Sequence, residues 1–196
     1  MKFPVVKKKF AILGIVILLY LILLLPLIFI NLKKPQELQS KAATASSILY
    51  FEPVSSPAKP IHKKIGDTIT LNVMLNPGKN LPSAIKLQIL IDQAKLKITG
   101  SSAFAPNTSA FPVALQGPLV DSHGIMVALS IGIDPTKAIQ TTTRIGTLTL
   151  TAVNETNTQQ AIAFGKDTSV VSLAGQDKAL DNVLATTNPA FLLITK

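Results

Sequence analysis

The chain has 196 residues, no cysteine, no tryptophan and a formal net charge of +9. The lack of cysteine excludes a disulfide framework and thiolate metal sites, so any fold must be held by its own apolar core. The charge is unevenly spread: residues 46–196 carry 12 Lys and Arg against 9 Asp and Glu, which takes away the basic footprint that nucleic-acid binding needs.

The first nine residues hold Lys2, Lys7, Lys8 and Lys9, and Phe10 to Leu32 then reads FAILGIVILLYLILLLPLIFINL without one charge. These 23 residues exceed the ~20 that a helix rising ~1.5 Å per residue needs to cross the hydrocarbon core. Pro26 is tolerated in such a span. The sequence predicts a basic cytoplasmic segment over 1–9 and a transmembrane helix over 10–32. A polar stalk follows over 33–46. Lysines on both flanks favour a cytoplasmic amino terminus only modestly.

The stalk contains Ala43-Thr44-Ala45, a small-x-small triplet of the kind signal peptidase cuts. The apolar run is longer than a secretory signal requires, and thirteen residues, Lys33 to Ala45, separate its end from the end of the triplet. This spacing points to an uncleaved anchor in the cell membrane with an extracytoplasmic carboxy-terminal domain. The alternative is a secreted domain released by cleavage near Ala45.

Residues 47–196 are predicted to be all-β. After an opening strand that closes on Pro53, DTITLNVMLN alternates Ile69, Leu71, Val73 and Leu75 with Thr68, Thr70, Asn72 and Met74. That period of two gives one core face and one wet face. SAIKLQILID repeats the device, with Ile85, Leu87, Ile89 and Ile91 on one side. Ile125 to Ile133 continues it, with Met126, Ala128, Ser130 and Gly132 opposite the large residues. TRIGTLTLTAV, AIAF, TSVVSL and FLLIT complete about eight or nine strands, and Ala179 to Ala185 suits a short helical turn. The basic run Lys59 to Lys64 and the stretch AFAPNTSAF read as loops, and TLTLTAVNETNTQ as a wet edge. Many short alternating strands of this kind make a two-sheet sandwich.

Four residues are expected to shape turns and strand starts. Gly66-Asp67 opens the Thr68 strand, Asp92 ends its own strand by local hydrogen bonding, and Gly146 allows close approach at the entry to a central strand.

The order of these features carries a resemblance. The strand closing on Pro53, Gly66-Asp67 before an alternating strand, SAIKLQILID with Asp92 and then Leu96, and Ile145-Gly146-Thr147-Leu148-Thr149-Leu150 before Ile162-x-Phe164 follow one another as in cohesin domains. More broadly, Ser47 to Ile194 resembles the bacterial carbohydrate-binding-module-like jelly rolls. Ile91 and Gln93 depart from the aromatic and proline that often flank the aspartate in that family. The resemblance implies a non-catalytic scaffolding module that docks dockerins, which are small calcium-binding modules of other secreted proteins, through one sheet face. Lys86, Gln88 and Ser130 are the candidates for that face.

No catalytic constellation is visible. His62 and His123 are the only histidines and both sit in expected turns or loops, no Gly-x-Ser-x-Gly is present, and the acids are scattered. Asp177, Asp181 and Asn182 cluster without the spacing of a calcium loop, so no metal or other cofactor is expected. The second functional reading is glycan binding. The domain offers one Tyr and five Phe for it, with Phe104 and Phe111 as the best candidates for exposed rings that stack on sugars.

Overall fold

The computed structural model describes residues 45–156, 158–173 and 182–196. The expected basic segment, transmembrane helix and stalk up to residue 44 lie outside these residues, as do Asp177 and Asp181. No helix among the described residues is long and apolar enough to cross a membrane.

Thirteen strands are present among the described residues: β1 (Ser47–Glu52), β2 (Ile61–Lys64), β3 (Thr68–Asn76), β4 (Pro82–Leu90), β5 (Leu96–Ile98), β6 (Phe104–Pro106), β7 (Val113–Asp121), β8 (Gly124–Ser130), β9 (Thr143–Ala152), β10 (Gln160–Phe164), β11 (Ser169–Ser172), β12 (Leu184–Thr187) and β13 (Ala190–Thr195). They form two sheets. The first has the order β12-β1-β3-β9-β5, with β6 also pairing with β9. The second has the order β2-β13-β10-β4-β8-β7, with β11 also pairing with β4. The two sheets share a device: one edge of a long strand, β9 or β4, is served in succession by two short strands.

The period of two decides what lies between the sheets. Ile69, Leu71, Val73 and Leu75 of β3 and Ile145, Leu148 and Leu150 of β9 are buried from one side. Ile85, Leu87 and Ile89 of β4 and Ile125, Val127 and Leu129 of β8 are buried from the other. Together they belong to one continuous core. Phe51 of β1 and Phe164 of β10 stack across it with ring centroids 4.5 Å apart.

Several expectations are corrected. The strand count is thirteen against an expected eight or nine because β2, β5, β6 and β12 are too short to show a period and β7 is interrupted by two register shifts. Ile61–Lys64, read as a basic loop, is β2, held by parallel pairing with β13. The strand β9 is central, flanked by β3 on one side and by β5 and β6 on the other, and is therefore not a wet edge. Leu184 and Ala185 belong to β12, paired parallel with β1, and not to a helical turn. The alternation from Ile125 stops early: β8 ends at Ser130, and Gly132 at φ +88° turns the chain so that Ile133 points fully into solvent.

The turn residues take part in local hydrogen bonds. The amide of Lys64 donates to Asp67 Oδ2 (2.8 Å), and that of Ala94 donates to Asp92 Oδ1 (2.9 Å). Gly66 lies in the turn between β2 and β3. At Gly146 a side chain would collide with the ring of Phe104, whose strand β6 pairs with β9 there.

Candidate functional site

Residues directly opposite one another in a ladder lie on the same face, so the pairings assemble the outer surface of the second sheet row by row. One row runs Val171, Ala84, Ser130, Val113 across β11, β4, β8 and β7. The next runs Ser169, Lys86, Ala128, Gln116. The third is Gln88, Met126, Leu119, and the fourth brings Ala163 of β10 beside Leu90. The candidates Lys86, Gln88 and Ser130 thus share one face. Three strands of seven to nine residues, β4, β8 and β7, with the short β10 and β11 in succession along β4, spaced ~4.8 Å apart at ~3.3 Å per residue, give a surface of roughly 19 by 25 Å. That is the scale of one side of a small specific interface.

Within that face the three candidates differ. The Lys86 side chain is exposed. Gln88 is half-buried and holds the connection between β10 and β11: its carbonyl accepts from Gly165 N (2.7 Å), its amide donates to Thr168 Oγ1 (3.1 Å), and its Oε1 accepts from Asp167 N (3.2 Å). Ser130 Oγ accepts from the amide of Gly132 (3.0 Å) and so serves the turn that ends β8.

The prominent feature of this side of the molecule is aliphatic. Of the eight exposed large apolar residues among those described, four on β7 or just after β8 belong to this side, Val113, Leu115, Leu119 and Ile133, whereas Val120 is paired with Ile125 and faces the other way. Leu115 is 64 % exposed, Leu119 57 % and Ile133 104 %. Val113, Leu115, Ser130 and Ile133 also line an open depression of about 500 Å³, rimmed by Asp134 and Lys137. Because Val113 and Ser130 belong to both, the depression continues the sheet face. At its rim, hydrogen bonds from the Thr136 hydroxyl and amide hold the Asp134 carboxyl below its ordinary pKa and keep it charged.

The strand β7 closes one edge of the sheet, where unpaired backbone would invite another chain. Register breaks between Ala114 and Gln116 and between Gln116 and Leu119 interrupt its ladder around Gly117-Pro118. Such bulges blunt an edge against strand addition. The same bulges hid β7 in the sequence, because they destroy the alternation. The hairpin turn Asp121-Ser122-His123-Gly124 was the available signal, since a turn before β8 requires a strand ahead of it.

The two rings proposed for sugar stacking are not available. Phe104 and Phe111 are each 1 % exposed and belong to the core. Phe104 lies in β6, packed under Gly146, and the amides of Ala110 and Phe111 donate to the Asn107 carbonyl in a turn that folds Phe111 inward. The four rows named above contain no aromatic residue, and the one phenylalanine on the same side of the sheet, Phe191 of β13 opposite Ala161, is half-buried. His123 sits in an exposed turn beside Asp121, and no group of three or more His, Cys, Asp and Glu converges among the described residues.

No protein-family model matches the chain, and no curated protein matches it. Solved structures do. The third cohesin of ScaC from Acetivibrio cellulolyticus, in complex with the ScaB dockerin, superposes with a TM-score of 0.57 at 12 % identity, covering 77 % of this chain and all of that one. A cohesin from Clostridium thermocellum, in a cohesin–dockerin complex described as type I, gives 0.56 at 15 % identity over 80 % and 99 %. The type II cohesin of the Acetivibrio cellulolyticus cellulosome gives 0.53 at 16 % over 76 % and 95 %. The fold is a cohesin-like β-sandwich.

Proposed function

We propose that the domain is a non-catalytic docking module that binds a partner protein through the outward face of the seven-stranded sheet. The observation that carries this reading is the concentration of exposed aliphatic side chains on β7 and around Ile133, continuous with Met126, Ala128 and Ala84. Exposed apolar area gathered on one side is the mark of a recognition surface, whereas scattered single residues need no explanation. The aliphatic cluster forms the buried centre in this reading, and Lys86, Lys137 and Asp134 form its polar rim.

A dockerin-like module is the partner we favour, because the structurally similar cohesins of Acetivibrio cellulolyticus and Clostridium thermocellum are seen in complex with dockerins. The apolar segment Phe10–Leu32 would display the domain on the cell surface as a single-pass protein. The test is capture by the full chain, held in detergent micelles, from the secreted and surface material of the cell that makes it, with and without a calcium chelator. Protein and sugar are both analysed. The reading expects one protein species, lost on chelation and lost again when Leu119 and Met126 are both changed to Asp. Glycan alone, or protein still retained by the double variant, would overturn it.

A further inference from the structure

The start of the domain is clamped in a way that bears on the triplet Ala43-Thr44-Ala45. Asn80, buried in the loop between β3 and β4, turns its Oδ1 toward the first described residues. That oxygen accepts from Ser46 N (3.0 Å), Ser46 Oγ (2.7 Å) and Ser47 Oγ (3.2 Å). Ser46 Oγ in turn accepts from Lys79 N (2.9 Å), and Ser47 Oγ donates to Pro77 O (3.1 Å). Ser47 is fully buried, and its amide donates to Val183 O (3.1 Å). Gly78, at φ +61°, presses so close to the Ser46 carbonyl that a side chain there would clash.

We infer that folding seals the Ala45–Ser46 bond, so that this bond is a fold-gated cleavage site. A protease reads several residues on both sides of the bond it cuts in extended form, by strand-like pairing with the enzyme. Cleavage adds water across the amide, leaving a carboxylate on Ala45 and an amine on Ser46. To enter an active site, Ser46 and Ser47 must first abandon Asn80, Lys79, Pro77 and Val183 and leave the sheet. Proteolysis of a folded chain follows the population of such open states. Cutting after Ala45 therefore competes with folding. An unfolded chain can be released there, and a folded one stays joined to whatever precedes residue 45. The timing of folding selects between anchored and secreted forms.

Elastase, which cuts after small residues, is the probe. The full chain in detergent micelles and a synthetic peptide spanning Lys41 to Tyr50 are digested in parallel, and mass spectrometry follows the fragment that begins at Ser46. The folded chain is expected to yield it at least ~100-fold more slowly than the peptide. Asn80→Ala removes three hydrogen bonds at once and is expected to speed its appearance about 10- to 100-fold, with the thermal transition of the domain retained. If Asn80→Ala does not fold, Ser46→Ala, which lacks only the hydroxyl contacts, is expected to speed it severalfold. A Ser46 fragment released from the folded chain at the peptide's rate would overturn the inference. So would folded variants at both positions cut no faster than the native chain.

Discussion

The two outward faces of the sandwich are built on the same plan and are chemically unlike. Each sheet has a long strand with two short strands along one edge, and each turns a run of Ile, Leu and Val inward. On the first sheet the outward partners across β3 and β9 are Thr68 and Thr151, Thr70 and Thr149, and Asn72 and Thr147. On the second the rows mix Ala, Met, Leu and Val with two serines, two glutamines and one lysine. Threonine satisfies both demands of a wet strand, being β-branched for the backbone and hydroxylated for water. Nothing in the strand geometry obliges β7 and β8 to expose aliphatics instead. On the reading proposed above, this difference singles out the second face for contact.

The largest expected effect tests the shared interior. Phe104→Ala should destabilise the domain by about 3–5 kcal/mol, as a buried ring leaving a cavity does, measured by urea denaturation. A ring that served as an exposed contact would change stability by less than about 0.5 kcal/mol. Next comes the contact face itself. Changing Leu119 and Met126 together to Asp should weaken partner capture by at least ~100-fold, the scale of a hot spot, while leaving the thermal midpoint nearly in place. The same charge introduced at Thr70 and Thr149 should leave capture unchanged. Equal losses from both faces would erase the contrast.

Gln88 separates structure from contact within the second face. Gln88→Ala removes only the bond from Asp167 N, since the links to Gly165 and Thr168 run through its backbone. A loss of about 1 kcal/mol in stability is expected, read from the urea midpoint. Smallest is a pH effect at the rim. The Asp134 carboxyl titrates below its ordinary value of 3.8, so its contribution is present above that value and is lost as pH falls through the lowered one. An acid titration of the thermal midpoint should therefore show a slightly shallower decline for Asp134→Asn than for the native chain.

The contrast between the faces also explains what could be read in advance. In β3, β4 and β8 the alternation is unbroken, so Ile69 to Leu75 and Ile85 to Ile89 mark both their strands and their buried sides, while β9 carries one register shift and its buried residues step from Ile145 to Leu148. The short strands β2, β5, β6 and β12 have only three or four residues each, and remote partners define them. No local period marks such pieces. Phe104 and Phe111 were placed on a loop surface because Pro106-Asn107-Thr108-Ser109 lies between them. The turn is real, but it returns the chain to the core. The candidates Lys86, Gln88 and Ser130 lie on the outward side of β4 and β8, whereas the aliphatic half of that surface rests on β7, where Gly117-Pro118 breaks the pattern.

The most direct measurement is amide hydrogen exchange on the full chain, alone and with the partner it captures. The account predicts slowed exchange in β7, β8, β4 and the turn around Ile133, with β3 and β9 unchanged. Protection centred on the threonine rows of β3 and β9, with none on β7 and β8, would contradict it.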